Sequence, residues 1–87
     1  NIKNLMSVMK KKEFTNVRKW VVDNLDNDTS RLFRKLYDNL YDYVDDGSIP
    51  HVVVILAEYQ YKAAFVADQE INLMACLTEI MGAAKFK

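Results

Sequence analysis

The tetrapeptide Gly47-Ser48-Ile49-Pro50, with the apolar stretch behind it, restricts this chain more than any other feature. Gly47 suits the left-handed position that closes a helix. Ser48 can cap the next helix, and Pro50 fits its first turn, where a missing N–H removes no intrahelical bond. From His51 to Val66 neither glycine nor proline recurs. Val52, Ile55, Leu56, Tyr59, Ala63 and Val66 fall on one helical face, and Val53, Val54, Ala57, Tyr61, Ala64 and Phe65 on a second. A helix apolar on two faces is buried on two sides. In a chain of 87 residues, one of those sides is expected to meet another molecule. The β-branched run from Val52 to Ile55 also suits a strand. Such strands are bounded by turn residues, whereas Ala57-Glu58-Tyr59-Gln60 carries straight on, so a helix is the expectation. Asp68 then caps a last helix with Glu70 in its first turn. Its apolar positions are Ile71, Leu73, Met74, Leu77, Ile80 and Met81, and Gly82 is expected to end it.

Upstream, Ile2, Leu5, Met6 and Met9 share one face of a short leading helix. After Lys10-Lys11-Lys12-Glu13, a second helix spans Thr15 to Leu25, with Phe14, Val17, Val21, Val22 and Leu25 inward, Trp20 to one flank, and Arg18 and Lys19 outward. Asp28 or Thr29 can cap a third. There Leu32, Phe33, Leu36, Tyr37, Leu40, Tyr41 and Val44 recur as a stripe with helical period. Arg34–Asp38 is an attractive i,i+4 pair on its solvent side. Asp45 and Asp46 close that helix against its dipole, which is either tolerated or offset by a basic group docking there. The expected fold is all-α: a single domain over residues 1–87, an antiparallel bundle of four helices plus the short leading one. Leu36, Leu40, Leu56, Tyr59, Leu73 and Leu77 are expected to be buried together.

Two glycines and one proline favour long regular elements, and a 51% apolar composition supports a modest core. Net charge is zero, although residues 1–35 hold nine Lys/Arg against four Asp/Glu, and residues 36–87 three against eight. Bulk charge therefore gives no support to a nucleic-acid or membrane-surface role. Phosphate-cradling glycine motifs are absent. His51 has no Ser or Cys at a recognisable spacing, so a first-turn packing or surface role outweighs general-base chemistry. Placing Gly47 at position 6 of a calcium loop puts Val44 at position 3 and Val53 at position 12, and the loop fails. Cys76 is alone and reads as a small buried hydrophobe. Asn27-Asp28-Thr29 matches a glycosylation sequon but lacks a secretory signal. No catalytic, cofactor-binding or metal-binding residue emerges.

What does emerge is a contact surface. Val54, Tyr61 and Phe65 lie off the core line, as partner-binding aromatics do. Glu70, Asn72 and Glu79 on the last helix form the reserve interface. A competing reading is a stand-alone DNA-binding module using Lys10, Lys11, Lys12, Arg18 and Lys19 beside Trp20.

Four segments carry a resemblance: Met6-Ser7-Val8-Met9-Lys10-Lys11-Lys12-Glu13-Phe14-Thr15, Arg31-Leu32-Phe33-Arg34-Lys35-Leu36-Tyr37-Asp38-Asn39-Leu40, the run from Ile49 through Lys62, and the run from Asp68 through Met81. In order and spacing they resemble the C-terminal collar domain of the small ATPase subunit of sliding-clamp loaders. The likeness is to T-even bacteriophage and related phages, and more distantly to cellular replication-factor-C small subunits. The resemblance covers essentially the whole chain, through packing patterns rather than catalytic signatures. It implies a helical oligomerisation module at the C-terminal end of a longer ATPase subunit. In that family the collars join the ATPase modules into a ring that loads the sliding clamp onto primer–template DNA. ATP and Mg, the phosphate loop, the metal-binding acids and the arginine finger would belong to the missing core, so this segment would carry no catalytic residue. The implied partners are other loader subunits through collar–collar contacts, with the clamp and primer–template DNA engaged through the parent assembly and no membrane. The implied location is the cytoplasm of an infected bacterial cell.

Overall fold

The computed structural model describes residues 1–26 and 28–87; Asn27, the first residue of the sequon, lies outside the described residues. The described residues form six α-helices and one 3-10 turn: α1 (Ile2–Lys10), α2 (Phe14–Asn24), α3 (Ser30–Asp38), α4 (Leu40–Tyr43), the 3-10 turn (Asp46–Ser48), α5 (Ile49–Ala63) and α6 (Gln69–Ala83). The all-α expectation holds, with 77% helix and no strand among the described residues.

The expected third helix is two helices. Its break is at Asn39, whose backbone sits at φ −104°, ψ 2° and whose Nδ2 donates to the Lys35 carbonyl at 2.8 Å. An asparagine side chain that takes an i−4 carbonyl competes with the helix ladder, which favours a stop. The core line survives the break, since Leu36, Leu40 and Val44 are all buried. Tyr37 and Tyr41 are exposed, contrary to the expected stripe. Each follows a buried leucine by about 100° of helical rotation, so the leucine fills the core and the tyrosine turns outward. Val44 leaves α4 in an extended conformation and pairs with Phe86 in an isolated antiparallel bridge. The Lys87 amide donates to the Tyr43 carbonyl at 2.9 Å and the Asp45 amide to the Lys85 carbonyl at 2.8 Å, which straps the C-terminal tail along this segment. The basic group that meets the acids here is the chain's own: Lys87 Nζ lies 3.5 Å from Asp46 Oδ1.

Three expected terminators behave differently. Gly47 has a negative φ and lies inside the 3-10 turn, because the preceding helix has already ended at Val44 and no left-handed cap is required. The left-handed residue is Lys12, at φ 57°. Its amide donates to the Met9 carbonyl and the Glu13 amide to the Val8 carbonyl, both at 3.0 Å, the bonding pattern of a Schellman motif closing α1. Ser48 precedes α5 but makes no capping bond; its Oγ accepts from the Lys85 amide at 3.0 Å instead. Gly82 lies within α6, which runs on to Ala83. Asp68 does cap α6, its Oδ1 accepting from the Ile71 amide at 3.0 Å. Before α3, the Asp28 carboxylate accepts from the Ser30 amide at 3.0 Å and from the Ser30 hydroxyl, and these bonds hold its pKa below the ordinary 3.8.

α6 is the centre of the molecule, packing against α5, α2 and α1, while α3 packs against α5. Leu5, Met9, Val17, Val21, Leu36, Ile55, Leu73, Leu77 and Cys76 are wholly enclosed. Burying a leucine or methionine side chain contributes about 1.5–3 kcal/mol before the cost of ordering it, so this cluster is the main stabilising term. Of the six residues expected together in the core, five are buried and Tyr59 is half-buried at its edge. Phe14 and Val22, expected inward, are exposed, and so is Ile71 among the apolar positions of α6. α2 turns the Val17–Val21 line to the core, which leaves Val22 about 100° off it. Phe14, in the first turn, overhangs α6 beside Ile71 rather than being covered.

Candidate assembly surfaces

α5 divides its apolar residues between two directions. Ile49, Val52, Ile55 and Leu56 are buried. On the far side Val54 is 62% exposed and Tyr61 71%, and Phe65, in the turn just past the helix, is 72% exposed. Val54 and Tyr61 are seven residues apart, two turns along one line. The Phe65 ring stands 5.1 Å from that of Tyr61 at 55°, so the two aromatics form one ridge. The leading helix α1, which could have covered this ridge, packs instead against α2 and α6.

A polar seam borders the ridge. Lys62 Nζ donates to Glu58 Oε1 at 3.0 Å and lies 4.8 Å from the centroid of the Tyr59 ring. The Tyr59 hydroxyl donates to Glu79 Oε1 at 3.0 Å, which ties α5 to α6. Partial burial, then the Glu79 carboxylate, raise the Tyr59 pKa above 10.0, and Glu58 raises that of Lys62 above 10.5. Two amides complete the seam: Gln69 Nε2 donates to the Ala63 carbonyl at 2.9 Å and Asn72 Nδ2 to the Tyr59 carbonyl at 3.1 Å. The first of these satisfies a carbonyl that the end of α5 leaves without an intrahelical partner.

A second surface lies between α2 and α6. It is a shallow, open depression whose apolar lining is Phe14, Ile71, Met74 and Ala75. Phe14 is 51% exposed and Ile71 69%. Arg18, Glu70 and Glu79 supply the charges of its lining, and Arg18 Nε is 3.8 Å from Glu70 Oε2. The sequence reading missed this groove. Its signal was present in Ile71, Ala75 and Thr78, an i, i+4, i+7 line on α6 distinct from the core line.

The remaining expected site residues separate. Asn72 is turned inward in the domain: it is only 7% exposed, and its amide serves the α5–α6 seam. Glu70 and Glu79 do lie at the surface, both lining the groove. Lys10, Lys11 and Lys12 are exposed at the turn from α1 to α2, and Lys19 is exposed on α2. Arg18 is engaged by Glu70. The Trp20 indole is half-buried and donates to the Asn1 carbonyl at 3.1 Å, so it packs onto α1 instead of standing free beside the lysines. His51 is exposed in the first turn of α5. Cys76 is fully enclosed, and burial pushes its thiol pKa up to about 12. Among the described residues no group of three or more His, Cys, Asp or Glu is placed to hold a metal ion, and no helix is long and apolar enough to cross a membrane.

A family model described as the sliding-clamp-loader large subunit, C-terminal domain, matches residues 28–84. The chain belongs to this clamp-loader family. The family's description says large subunit where the sequence resemblance says small ATPase subunit; the C-terminal clamp-loader domain is common to both. Comparison with the curated proteins gives no match. Within this clamp-loader domain, α3 to α6 fall inside the matched region, whereas α1 and α2 precede it. The Val54–Tyr61–Phe65 ridge therefore lies wholly inside the family region. The groove straddles its boundary, with Phe14 and Arg18 on one side and the α6 residues on the other.

Proposed function

We propose that this clamp-loader domain is an oligomerisation module, a collar that holds ATPase subunits together while the loader places a sliding clamp on primer–template DNA. The observation that carries the reading is the ridge of Val54, Tyr61 and Phe65, exposed on a helix that already buries its other face and lying within the family-matched region. Large exposed aromatics in contact with each other are the kind of side chain on which interface energy concentrates. On this reading the domain supplies assembly alone. ATP and Mg would be bound, and hydrolysis performed, in the rest of the parent subunit. The direct partners would be neighbouring collars, with clamp and DNA engaged through the whole assembly in the cytoplasm of an infected bacterial cell.

Tyr61→Ala combined with Phe65→Ala in the full subunit tests this. The side chains lie outside the core, so helical circular dichroism and melting midpoint of the domain are expected to stay close to wild type. Truncating interface aromatics of this kind typically costs more than about 1–2 kcal/mol of binding, or roughly tenfold in Kd. The loader should therefore assemble more weakly and lose DNA-stimulated ATP hydrolysis in parallel. Wild-type assembly by the double variant would refute the reading.

A further inference from the structure

We infer that the hollow between α1 and the C-terminal tail takes an extended acidic peptide of a partner protein, which adds as a strand to the outer edge of the tail. The hollow shares no residue with the Val54–Tyr61–Phe65 ridge, and the inference does not rest on the assembly reading.

Charge gives the first argument. Lys3, Ser7 and Lys10 stand at i, i+4 and i+7, one line of α1. Across a shallow hollow they meet Tyr43, Phe86 and Lys87, with buried Met6 as the floor. Three ammonium groups line this hollow and no carboxylate does. Among the described residues no ion pair engages Lys3 or Lys10, and both are exposed. Lys87 Nζ is fixed by the Tyr41 carbonyl at 2.6 Å and lies 3.5 Å from Asp46 Oδ1. An ammonium has three donors, so Lys87 keeps one for a ligand. Lys3 and Lys10 are about 10 Å apart along the helix. Flexible lysine stems close that gap to the roughly 7 Å between alternate side chains of a strand.

Backbone geometry gives the second. Val44 and Phe86 are directly opposite in an antiparallel bridge. Its bonds run from the Asp45 amide to the Lys85 carbonyl and from the Lys87 amide to the Tyr43 carbonyl. Bonding groups alternate sides along a strand, so the N–H and C=O of Phe86 point away from residues 43–45. Among the described residues neither has a hydrogen-bond partner. An unpaired strand edge is a template for another strand. In such additions main-chain bonds supply affinity and flanking side chains supply specificity. Here the flanking side chains are cationic, which selects an acidic peptide. The same observations favour peptide over nucleic acid. Tyr43 and Phe86 are half-buried, so neither ring offers the open face on which a base stacks. The free amide and carbonyl of Phe86 match a peptide backbone, which carries both a donor and an acceptor.

The probe is a labelled, end-blocked octapeptide alternating aspartate with valine, titrated into the chain and followed by fluorescence anisotropy. Saturable binding that weakens as salt rises is expected. Lys3→Glu with Lys10→Glu, both at exposed positions, is expected to weaken it by about tenfold or more. Ser7→Glu, which sets a carboxylate in the middle of the basic line, is an independent variant with the same expected direction. Circular dichroism confirms that each folds. Lys19→Glu with Lys35→Glu makes the same change of charge outside the hollow and is expected to bind like wild type. In the complex, hydrogen exchange at the Phe86 amide is expected to slow from the rate of an open amide to that of a bonded one. Absence of peptide binding at low salt overturns the proposal. So does equal weakening by the Lys19 and Lys35 changes, which would mean attraction to bulk charge, and so does a Phe86 amide left unprotected in the complex. Oligothymidylate is the second arm and is expected to bind more weakly than the peptide. Tighter binding of it, lost with Lys3 and Lys10, would make the hollow a nucleic-acid site and overturn the peptide reading. Tyr61→Ala with Phe65→Ala is expected to bind the peptide like wild type, so this inference can fail while the assembly reading stands.

Discussion

α5 and α6 are each fifteen residues long and both are apolar on more than one side, yet the fold uses them differently. α6 buries Asn72, Leu73, Met74, Cys76, Leu77, Ile80 and Met81, because α5, α2 and α1 surround it. α5 buries Ile49, Val52, Ile55 and Leu56, with Tyr59 and Ala63 half-covered, and presents Val54, Tyr61 and Phe65 to solvent. A second apolar face is therefore no sign of a partner in itself. In α6 most of that surface is absorbed by the chain's own first two helices. In α5 no described element lies over it.

The contrast is most sharply tested in the core. Leu77→Ala in α6 is expected to destabilise by about 2–5 kcal/mol, as is Leu40→Ala in α4, since both leave cavities at enclosed positions. Val54→Ala in α5 is expected to change stability by no more than about 0.5 kcal/mol. Urea melts of the three proteins decide it, and equal shifts for Leu77 and Val54 would erase the distinction between the helices.

The two helix starts differ next. Asp68→Ala removes the capping bond of α6 and is expected to cost about 0.5–2 kcal/mol. Ser48→Ala removes no capping bond from α5. It is expected to leave α5 intact and to speed amide exchange at Lys85, whose N–H loses its acceptor. Slowed or unchanged exchange there would show that the strap of the C-terminal tail does not depend on Ser48.

The seam between the helices should give a smaller effect. Asn72→Ala deletes the side-chain bond to the Tyr59 carbonyl and is expected to cost about 0.5–1.5 kcal/mol, visible as a lowered melting midpoint. An unchanged midpoint would mean that this bond contributes nothing to holding α5 against α6. Smallest of all is the expected reactivity of Cys76. With its pKa pushed up to about 12, the thiol stays protonated at pH 8, and alkylation of the folded protein should be negligible until denaturant exposes it. Rapid labelling without denaturant would mean that the α6 side of the comparison is wrongly drawn.

Much of the architecture was legible in the residues. The inward lines of α3 and α5, the leading helix on Leu5, Met6 and Met9, and the Asp68 cap all follow from spacing within a turn or two, where physical neighbours are sequence neighbours. The ridge was legible for the same reason: Tyr61 and Phe65 lie off a core line that Val52, Ile55 and Leu56 already define. Local patterns failed where a distant segment intervened. Asn72 looked like surface until the Tyr59 carbonyl came to meet it. Ser48 looked like a cap until the Lys85 amide took its oxygen.

Helix identity, the direction of each core stripe and the apolar excess on α5 thus belong to the chain read residue by residue, because i,i+3 and i,i+4 geometry and capping chemistry act over a few positions. The placement of α6 rather than α5 at the centre, the inward turn of Asn72, and the groove between Phe14 and Ile71 came with the fold. Each depends on which surfaces are already occupied by elements tens of residues away, and no periodicity within one segment encodes what another segment will cover.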